Sequence, residues 1–155
     1  MEKETFAAAV QARQDALFRV AYAILQNRED ALDAMQEAVL RAWAFRHRLK
    51  NEAVFGTWLT RIVINASRDM LKKRRTAALP ASVSAPETPA ALAELCALPE
   101  KLRLPVVLHY IDGYAVSEVA AILHLPPSTI RGRLARARKQ LRLELTGEED
   151  HHASV

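Results

Sequence analysis

The sequence predicts an all-α protein with two small helical domains joined by a flexible linker, the C-terminal one a helix-turn-helix. The 155 residues include 4 glycines and 6% aromatic residues, which argues against a β-sandwich or barrel, because such folds need many turns and strand-forming side chains. Apolar residues recur at steps of three and four, as in amphipathic helices. A segment with three prolines, 76–91, interrupts this periodicity and is predicted to be the linker.

The N-terminal domain is predicted over residues 1–75 as three helices. One apolar stripe from Phe6 to Leu25, broken only by Arg13, indicates a continuous first helix. The second helix is expected to begin with Asp30 as its N-cap and to bury four large apolar residues. These residues are Leu32, Met35, Val39 and Trp43. Polar residues 46–52 predict a loop before a third helix over 53–75.

The C-terminal domain is predicted over residues 92–146, with a disordered polar tail at 147–155. Turn-forming residues separate four expected helices, 91–97, 100–111, 115–123 and 127–145. The last two carry facing apolar stripes and are joined by a tight turn, which predicts a helix-turn-helix. Ser128 or Thr129 is expected to cap the final helix.

The predicted final helix has a basic outward face. Its members are Arg131, Ala135, Arg136, Arg138, Lys139 and Arg142. A helix of this width fits the major groove of DNA, where arginine pairs with guanine edges. A solvated face on a structural hairpin is the alternative. The short helix, the turn and the capped basic helix together favour DNA binding.

The predicted third helix carries a second polar stripe. Its members follow each other at steps of 4, 3, 4 and 3 and are Arg61, Asn65, Arg68, Lys72 and Arg75. Such a stripe can follow a phosphate backbone, and the asparagine can hydrogen-bond a base. From the residues alone, a solvated helix face that binds nothing explains this stripe equally well.

The predicted second helix has an acidic side formed by Asp30, Asp33, Gln36 and Glu37. This side could dock a basic helix of another protein. Helix capping and solubility explain Asp30 and Asp33 fully, so the residues alone favour that simpler interpretation.

Other function classes lack support in the sequence. The five histidines lie in unrelated contexts, the single cysteine has no zinc-site neighbours, and no phosphate-binding glycine loop is present. We therefore expect no enzyme activity, cofactor or metal. The N-terminus is unlike a signal peptide and no apolar run approaches the ~18 residues of a membrane span, which predicts a cytoplasmic protein.

Several motifs occur in a fixed order along residues 10–145. They are AYAILQNREDA at 21–31, WLTRIVIN at 58–65, LPEKLR at 98–103 and STIRGRLARAR at 128–138. In this order, separated by a linker, they resemble the extracytoplasmic-function (ECF) sigma factors of the sigma-70 family. The resemblance implies a protein that binds bacterial core RNA polymerase and directs promoter-specific initiation.

The resemblance also implies residue roles. The acidic side, Asp30, Asp33, Gln36 and Glu37, would bind the clamp helices of the β′ subunit, and the β flap would be a further contact of the polymerase. Contacts to the −10 element would come from Lys50, Asn51, Arg61, Asn65, Arg68 and Lys72. Contacts to the −35 element would come from Ser128, Thr129, Arg131, Ala135, Arg136 and Lys139. Many members of the family are held inactive by an anti-sigma factor, so we expect such a partner.

Two positions depart from the family pattern. Leu49 lies near a place where the family often has an aromatic residue. Ala135 is smaller than the contact residue of some members, and a small side chain there favours a helix that reads DNA partly by shape and backbone. Two alternatives remain open: a polymerase-independent helix-turn-helix regulator, and a recombinase. A recombinase would need an N-terminal nucleophile site, which the first 75 residues do not show.

Overall fold

The computed structural model describes residues 1–76 and 90–144, and every regular element within these ranges is helical. The N-terminal domain comprises α1 (Lys3–Ala12), α2 (Gln14–Leu25), α3 (Arg28–Ala44) and α4 (Phe55–Thr76). The C-terminal domain comprises α5 (Ala90–Cys96), α6 (Glu100–Val106), α7 (Val116–Leu123) and α8 (Pro127–Glu144). This arrangement confirms the predicted all-α, two-domain fold class.

The predicted first helix is in fact two helices, which meet at Arg13. The backbone amide of Arg13 donates to the carbonyl of Val10 at 3.0 Å. The Arg13 guanidinium donates to the carbonyl of Ala9 at 2.9 Å. That carbonyl would be the partner of the Arg13 amide in a continuous α-helix. The guanidinium also lies 5.3 Å from the centre of the Phe55 ring. Arg13 therefore breaks the helix by replacing a backbone hydrogen bond with a side-chain bond.

Helix α3 differs from its prediction at both its cap and its buried face. Asn27 is the N-cap, since its side chain accepts a hydrogen bond from the Asp30 amide at 2.9 Å. The buried face consists of alanines, each 0% exposed: Ala31, Ala34, Ala38 and Ala42. Of the four predicted core residues, Leu32 is 40% exposed and the other three are half-buried. Because α3 packs against both α2 and α4, small side chains at the contact let the backbones approach closely.

The core of the N-terminal domain lies between α2 and α4. Leu17, Val20, Leu59 and Val63 are each at most 2% exposed. Phe6 of α1 closes one end, with its ring centre 5.1 Å from Trp43 and 5.8 Å from Phe55 in edge-on contacts. This packing holds α3 and α4 side by side, so that each presents its polar side to the surface.

The predicted linker and tail fall mostly outside the described residues. Thr76 is the last residue of α4 and Ala90 the first of α5, so the described ends of the predicted linker at 76–91 are helical. Residues 77–89 and the tail at 147–155 lie outside the described part of the chain.

The expected helix over 100–111 is α-helical only in its first part and π-helical in its second. After α6, residues Val107–Ile111 form a π-helical turn, in which the Asp112 amide bonds the Val107 carbonyl at 2.8 Å. Gly113 follows with φ +84°, a conformation that glycine adopts without steric strain. The wider turn places the Asp112 side chain in a buried position, with 1% of it exposed.

The helix-turn-helix is formed by α7 and α8. His124 ends α7 in the left-handed conformation at φ 56°, and the Leu125 amide bonds the Ala120 carbonyl at 3.0 Å. Helix α8 begins at Pro127, so the prediction that Ser128 or Thr129 is its N-cap is wrong. The carbonyl of Pro126 accepts bonds from the Thr129 and Ile130 amides instead. The facing apolar residues are buried: Val119, Ile122, Ile130, Leu134 and Ala137.

Candidate nucleic-acid and protein interfaces

Three of the four predicted polymerase contacts are exposed on α3. Asp33, Gln36 and Glu37 lie on the side of the helix opposite its alanine face. Asp30 is half-buried, and its carboxylate pairs with the Arg74 guanidinium of α4. Asp30 therefore holds the start of α3 against the end of α4, while the other three side chains remain exposed at the surface.

A second ion-pair network connects this surface to α4. Arg41 lies one helical turn after Glu37, and its Nε donates to the Glu37 carboxylate at 3.1 Å. Its Nη1 donates to Asp69 of α4 at 3.0 Å. The hydrogen bond to Glu37, followed by that to Asp69, raises the pKa of Arg41. The sequence reasoning assigned Arg41 no role, although its spacing from Glu37 could have suggested the pair.

The polar stripe of α4 is mostly accessible. Asn65, Arg68 and Lys72 are exposed, and Arg68 forms a long ion pair of 3.5 Å with Glu100 of α6. Arg61 is half-buried, because its Nη2 donates to the backbone carbonyl of Ala121 in the C-terminal domain at 2.7 Å. The structure therefore places four of the six predicted −10 contacts on α4, and one of these four, Arg61, is bonded to the C-terminal domain.

The segment between α3 and α4 contains two 3-10 turns, Arg46–Arg48 and Glu52–Val54, where a loop was expected. Lys50 and Asn51 are exposed, and the Asn51 side chain accepts a bond from the Ala53 amide at 3.0 Å, which caps the second turn. Because only the side-chain oxygen of Asn51 is used in this bond, its NH₂ group can donate to another partner.

An exposed aromatic ring lies at the start of this segment and was missed by the sequence reasoning. Phe45 is 43% exposed, and the Arg48 guanidinium lies 4.5 Å from its ring centre. A ring with an adjacent cation is a suitable surface for stacking an unpaired base. The sequence reasoning looked for an aromatic residue near Leu49, which is half-buried, and did not consider a residue one turn earlier.

The outward face of α8 is available for contact. Ser128, Arg131, Ala135, Arg136 and Lys139 are exposed, and Thr129 is half-buried. Arg138, which was expected on the same face, donates instead to the Tyr110 hydroxyl at 2.6 Å. The Arg142 side chain lies outside the described part of the chain. The predicted −35 contacts therefore share one helix, with Arg138 turned away from them.

The described residues contain no group of three or more metal-ligating side chains close enough to hold an ion. In the same part of the chain, none of the helices combines the length and hydropathy of a membrane span.

These features define a class of protein, a two-domain helical factor with one DNA-reading helix-turn-helix and a second basic helix beside an acidic surface. The family model of sigma-70 region 2 matches residues 9–77, and that of sigma-70 region 4 matches residues 90–141. The chain belongs to the ECF sigma factors of the sigma-70 family.

Individual relatives agree with this assignment. The chain is 28% identical to the ECF sigma factor SigW of Bacillus subtilis, over 93% of this chain and 90% of that protein. It is 33% identical to SigM of Mycobacterium tuberculosis, over 81% of this chain and 69% of that protein. The fold resembles that of the sigma factor RpoE of Bartonella quintana, solved with the anti-sigma factor NepR, with a TM-score of 0.79 at 22% identity, covering 94% of this chain and 99% of that one.

As a sigma factor, the protein binds core RNA polymerase and directs promoter-specific initiation. It does so by recognising the −35 and −10 elements and stabilising the melted strand.

Proposed function

We propose that three separate surfaces of this chain perform its role in initiation. Residues 1–75 act as the domain for core polymerase and the −10 element, and residues 92–146 as the domain for the −35 element. The supporting observation is that the three sets of residues lie on separate parts of the fold: α3, α4 with the segment before it, and α8. Polymerase and DNA therefore do not compete for the same side chains.

The α3 surface is the proposed contact for the β′ clamp helices. Asp33, Gln36 and Glu37 present two carboxylates and an amide on one exposed side, which complements a basic helical partner. Asp30 contributes by fixing the start of α3 through its pair with Arg74. The C-terminal domain is the proposed contact for the β flap.

The α4 stripe and the preceding segment are the proposed contact for the −10 element. Arg61, Arg68 and Lys72 supply charge for the phosphates, and the Asn65 amide supplies a donor and an acceptor for a base. Lys50 and Asn51 extend this surface. Flipping a base out of the melted strand and holding it against the protein stabilises the open state.

The α8 face is the proposed reader of the −35 element. Arg131, Arg136 and Lys139 can reach guanine edges or phosphates, while Ser128 and Thr129 lie at the N-terminal end of the helix, where anions bind favourably. Ala135 permits close approach of the helix to the groove. Because the α4 and α8 surfaces belong to one chain, contact of one with its DNA element raises the effective concentration of the other, and recognition is bivalent.

The proposal includes an anti-sigma partner and a cytoplasmic location. It draws support from the RpoE structure, in which a related fold is bound by NepR. The acidic and basic helical surfaces described above offer such a partner complementary contacts.

Reconstitution with core polymerase tests the assignment of surfaces. We expect the chain to form a holoenzyme and to select a defined pair of −35 and −10 elements from a randomised promoter library. The transcripts and the selected sequences are read by sequencing. Selection of only one element, or operator binding without polymerase, would contradict the proposed division between α4 and α8.

Replacement of Arg131 tests base reading by α8. If Arg131 pairs with a guanine, Arg131→Ala should reduce discrimination at one −35 position by ~1–3 kcal/mol. The measurement is the affinity of the holoenzyme for the selected promoter and for single-base variants. Arg138→Ala is the matched control, since Arg138 is turned towards Tyr110. A uniform loss of affinity across all variants would identify Arg131 as a phosphate contact.

A further inference from the structure

The basic residues at the end of α4 differ in whether a carboxylate pairs with them. They follow one another as Lys72, Lys73, Arg74 and Arg75. The Arg74 guanidinium pairs with Asp30 at the start of α3, so its charge is satisfied inside the domain. Lys72 and Lys73 are exposed and form no ion pair with the described residues. Two adjacent ammonium groups are therefore available to an anion from outside the domain.

Asp69 is suitably placed along α4 to pair with either of these lysines. It precedes Lys72 by three residues and Lys73 by four, the spacings at which side chains of an α-helix lie next to each other. An acidic residue four positions before a lysine is also the favourable order for an ion pair within one helix. Local spacing alone would therefore favour a pair between Asp69 and Lys73.

The structure pairs Asp69 with a cation of another helix instead. The Arg41 Nη1 of α3 donates to the Asp69 carboxylate at 3.0 Å, and 33% of the Arg41 side chain and 58% of the Asp69 side chain are exposed. An ion pair this exposed contributes little to the stability of a domain. Its main effect is on the charge of the surface, because it neutralises Asp69 and leaves both lysines unpaired.

A groove between α3 and the end of α4 is lined by this ion pair and by both lysines. Its lining residues are Arg41, Asp69, Lys72, Lys73 and Thr76. The charges of the arginine and the aspartate cancel, so the lysines give the groove a net positive charge. Lys72 also belongs to the α4 stripe proposed for the −10 element, and the groove therefore continues that surface towards α3.

We propose that Arg41 is a positioning residue for promoter DNA: by holding the Asp69 carboxylate, it keeps both lysines free to bind a backbone phosphate in this groove. The inference rests on the proposed role of the α4 stripe at the −10 element, and it adds Lys73 to that surface. Lysine ammonium groups bind phosphate as point charges. Contacts of this kind fix the position of a protein on DNA and carry no sequence information directly.

Loss of Arg41 changes the partner that Asp69 can take. The carboxylate then has Lys73 at the favourable spacing on its own helix, and a pair between them removes one ammonium from the groove. The same carboxylate repels a phosphate that approaches the remaining lysine. Both effects act through Asp69, so removing its charge as well should cancel them.

Arg41→Ala tests the inference in the holoenzyme. Because Arg41 also bonds Glu37 of the proposed polymerase surface, core enzyme is supplied at saturation, so that a change in core affinity does not enter the result. We expect the affinity for the selected duplex promoter to fall about tenfold, as for one lost hydrogen bond to a charged group. The dependence of log affinity on log salt should become shallower by about 1, and the loss should be equal for promoters that differ in sequence.

Asp69→Asn supplies a rescue that a purely structural role of Arg41 would not show. In the Arg41→Ala background it removes the stranded carboxylate and should return promoter affinity to within about threefold of the parent. In the parent background, where Asp69 is already neutralised, it should change affinity by less than about threefold. A double variant as weak as Arg41→Ala would overturn the inference. An equal gain from Asp69→Asn in both backgrounds would be a general charge effect and would overturn it too.

Lys73→Ala tests the phosphate contact itself. We expect it to weaken promoter binding about fivefold in the parent and much less in Arg41→Ala, where Asp69 already occupies this lysine. The matched control is Arg28→Ala, which removes the same charge from α3 at a guanidinium that lies over Phe18. This control should leave promoter affinity within about twofold. Equal losses from Lys73→Ala in both backgrounds would contradict the role of Arg41, and thermal unfolding checks that each variant is folded.

Arg68→Ala separates this inference from the proposed function, because Arg68 belongs to the α4 stripe but does not line the groove. If Arg68→Ala weakens promoter binding and Arg41→Ala does not, the stripe stands and the role of Arg41 is refuted. If Arg41→Ala weakens binding with rescue by Asp69→Asn while Arg68→Ala has no effect, the groove stands and Arg68 is removed from the stripe.

Discussion

Reversing two charges on α3, Asp33→Arg with Glu37→Arg, is expected to lower the affinity for core polymerase at least about a hundredfold. Both carboxylates are exposed and face a proposed basic partner, so the change replaces attraction by repulsion. Like charges facing each other across an interface are unfavourable by several kcal/mol. Affinity is measured by titrating labelled protein with purified core enzyme.

Two further measurements make this result interpretable. Glu2→Arg with Glu4→Arg changes the net charge equally at exposed sites of the same domain but outside α3, and it should leave core affinity within about twofold. The circular dichroism and the thermal unfolding midpoint should stay unchanged in the α3 variant. Unchanged core affinity would remove this surface from the proposed function. Glu37→Arg removes one of the two bonds of Arg41, while the other, to Asp69 of α4, involves neither substituted residue.

Enlarging the alanine face of α3 should strongly destabilise the N-terminal domain. Ala38 is 0% exposed between α2 and α4, where additional methyl groups have no space unless a helix moves. We expect Ala38→Leu to lower the free energy of unfolding by about 3 kcal/mol, at the upper end for overpacking. Urea unfolding followed by tryptophan fluorescence measures this change, since Trp43 and Trp58 both lie in the N-terminal domain.

Ala44→Leu is the control for this prediction. Ala44 is exposed at the last residue of the same helix, so the same substitution should change stability by less than about 0.5 kcal/mol. Equal unfolding midpoints for the two variants would show that α3 does not pack on its alanines as described. Loss of stability should also weaken core binding only in proportion to the unfolded fraction.

The approximate positions of most helices could be predicted from the sequence, because each helix buries one face and so repeats apolar residues with the helical period. The break at Arg13 was harder to foresee. It depends on a side chain replacing a backbone hydrogen bond, and a stripe with one polar member looks continuous in a periodicity search. The π-helical turn before Asp112 likewise leaves no periodic signal.

The buried face of α3 could not be predicted from hydrophobicity. A pattern search favours the larger residues Leu32, Met35, Val39 and Trp43, yet the contact with two neighbouring helices selects the alanines. Small side chains are buried where backbones approach closely, and that distance is a property of the packed domain. The exposed Phe45 was missed for a related reason, since exposure of an aromatic residue depends on what packs around it.

Sequence alone determined the all-α class, the helix-turn-helix and the grouping of charged residues on single helix faces, because these follow from local periodicity. Only the tertiary structure decided which of those residues are free. Arg61 belongs to the same stripe as Asn65 and Arg68, but the C-terminal domain binds Arg61 through a carbonyl some 60 residues away along the chain. Such a contact depends on how the two domains dock, and no local pattern encodes it.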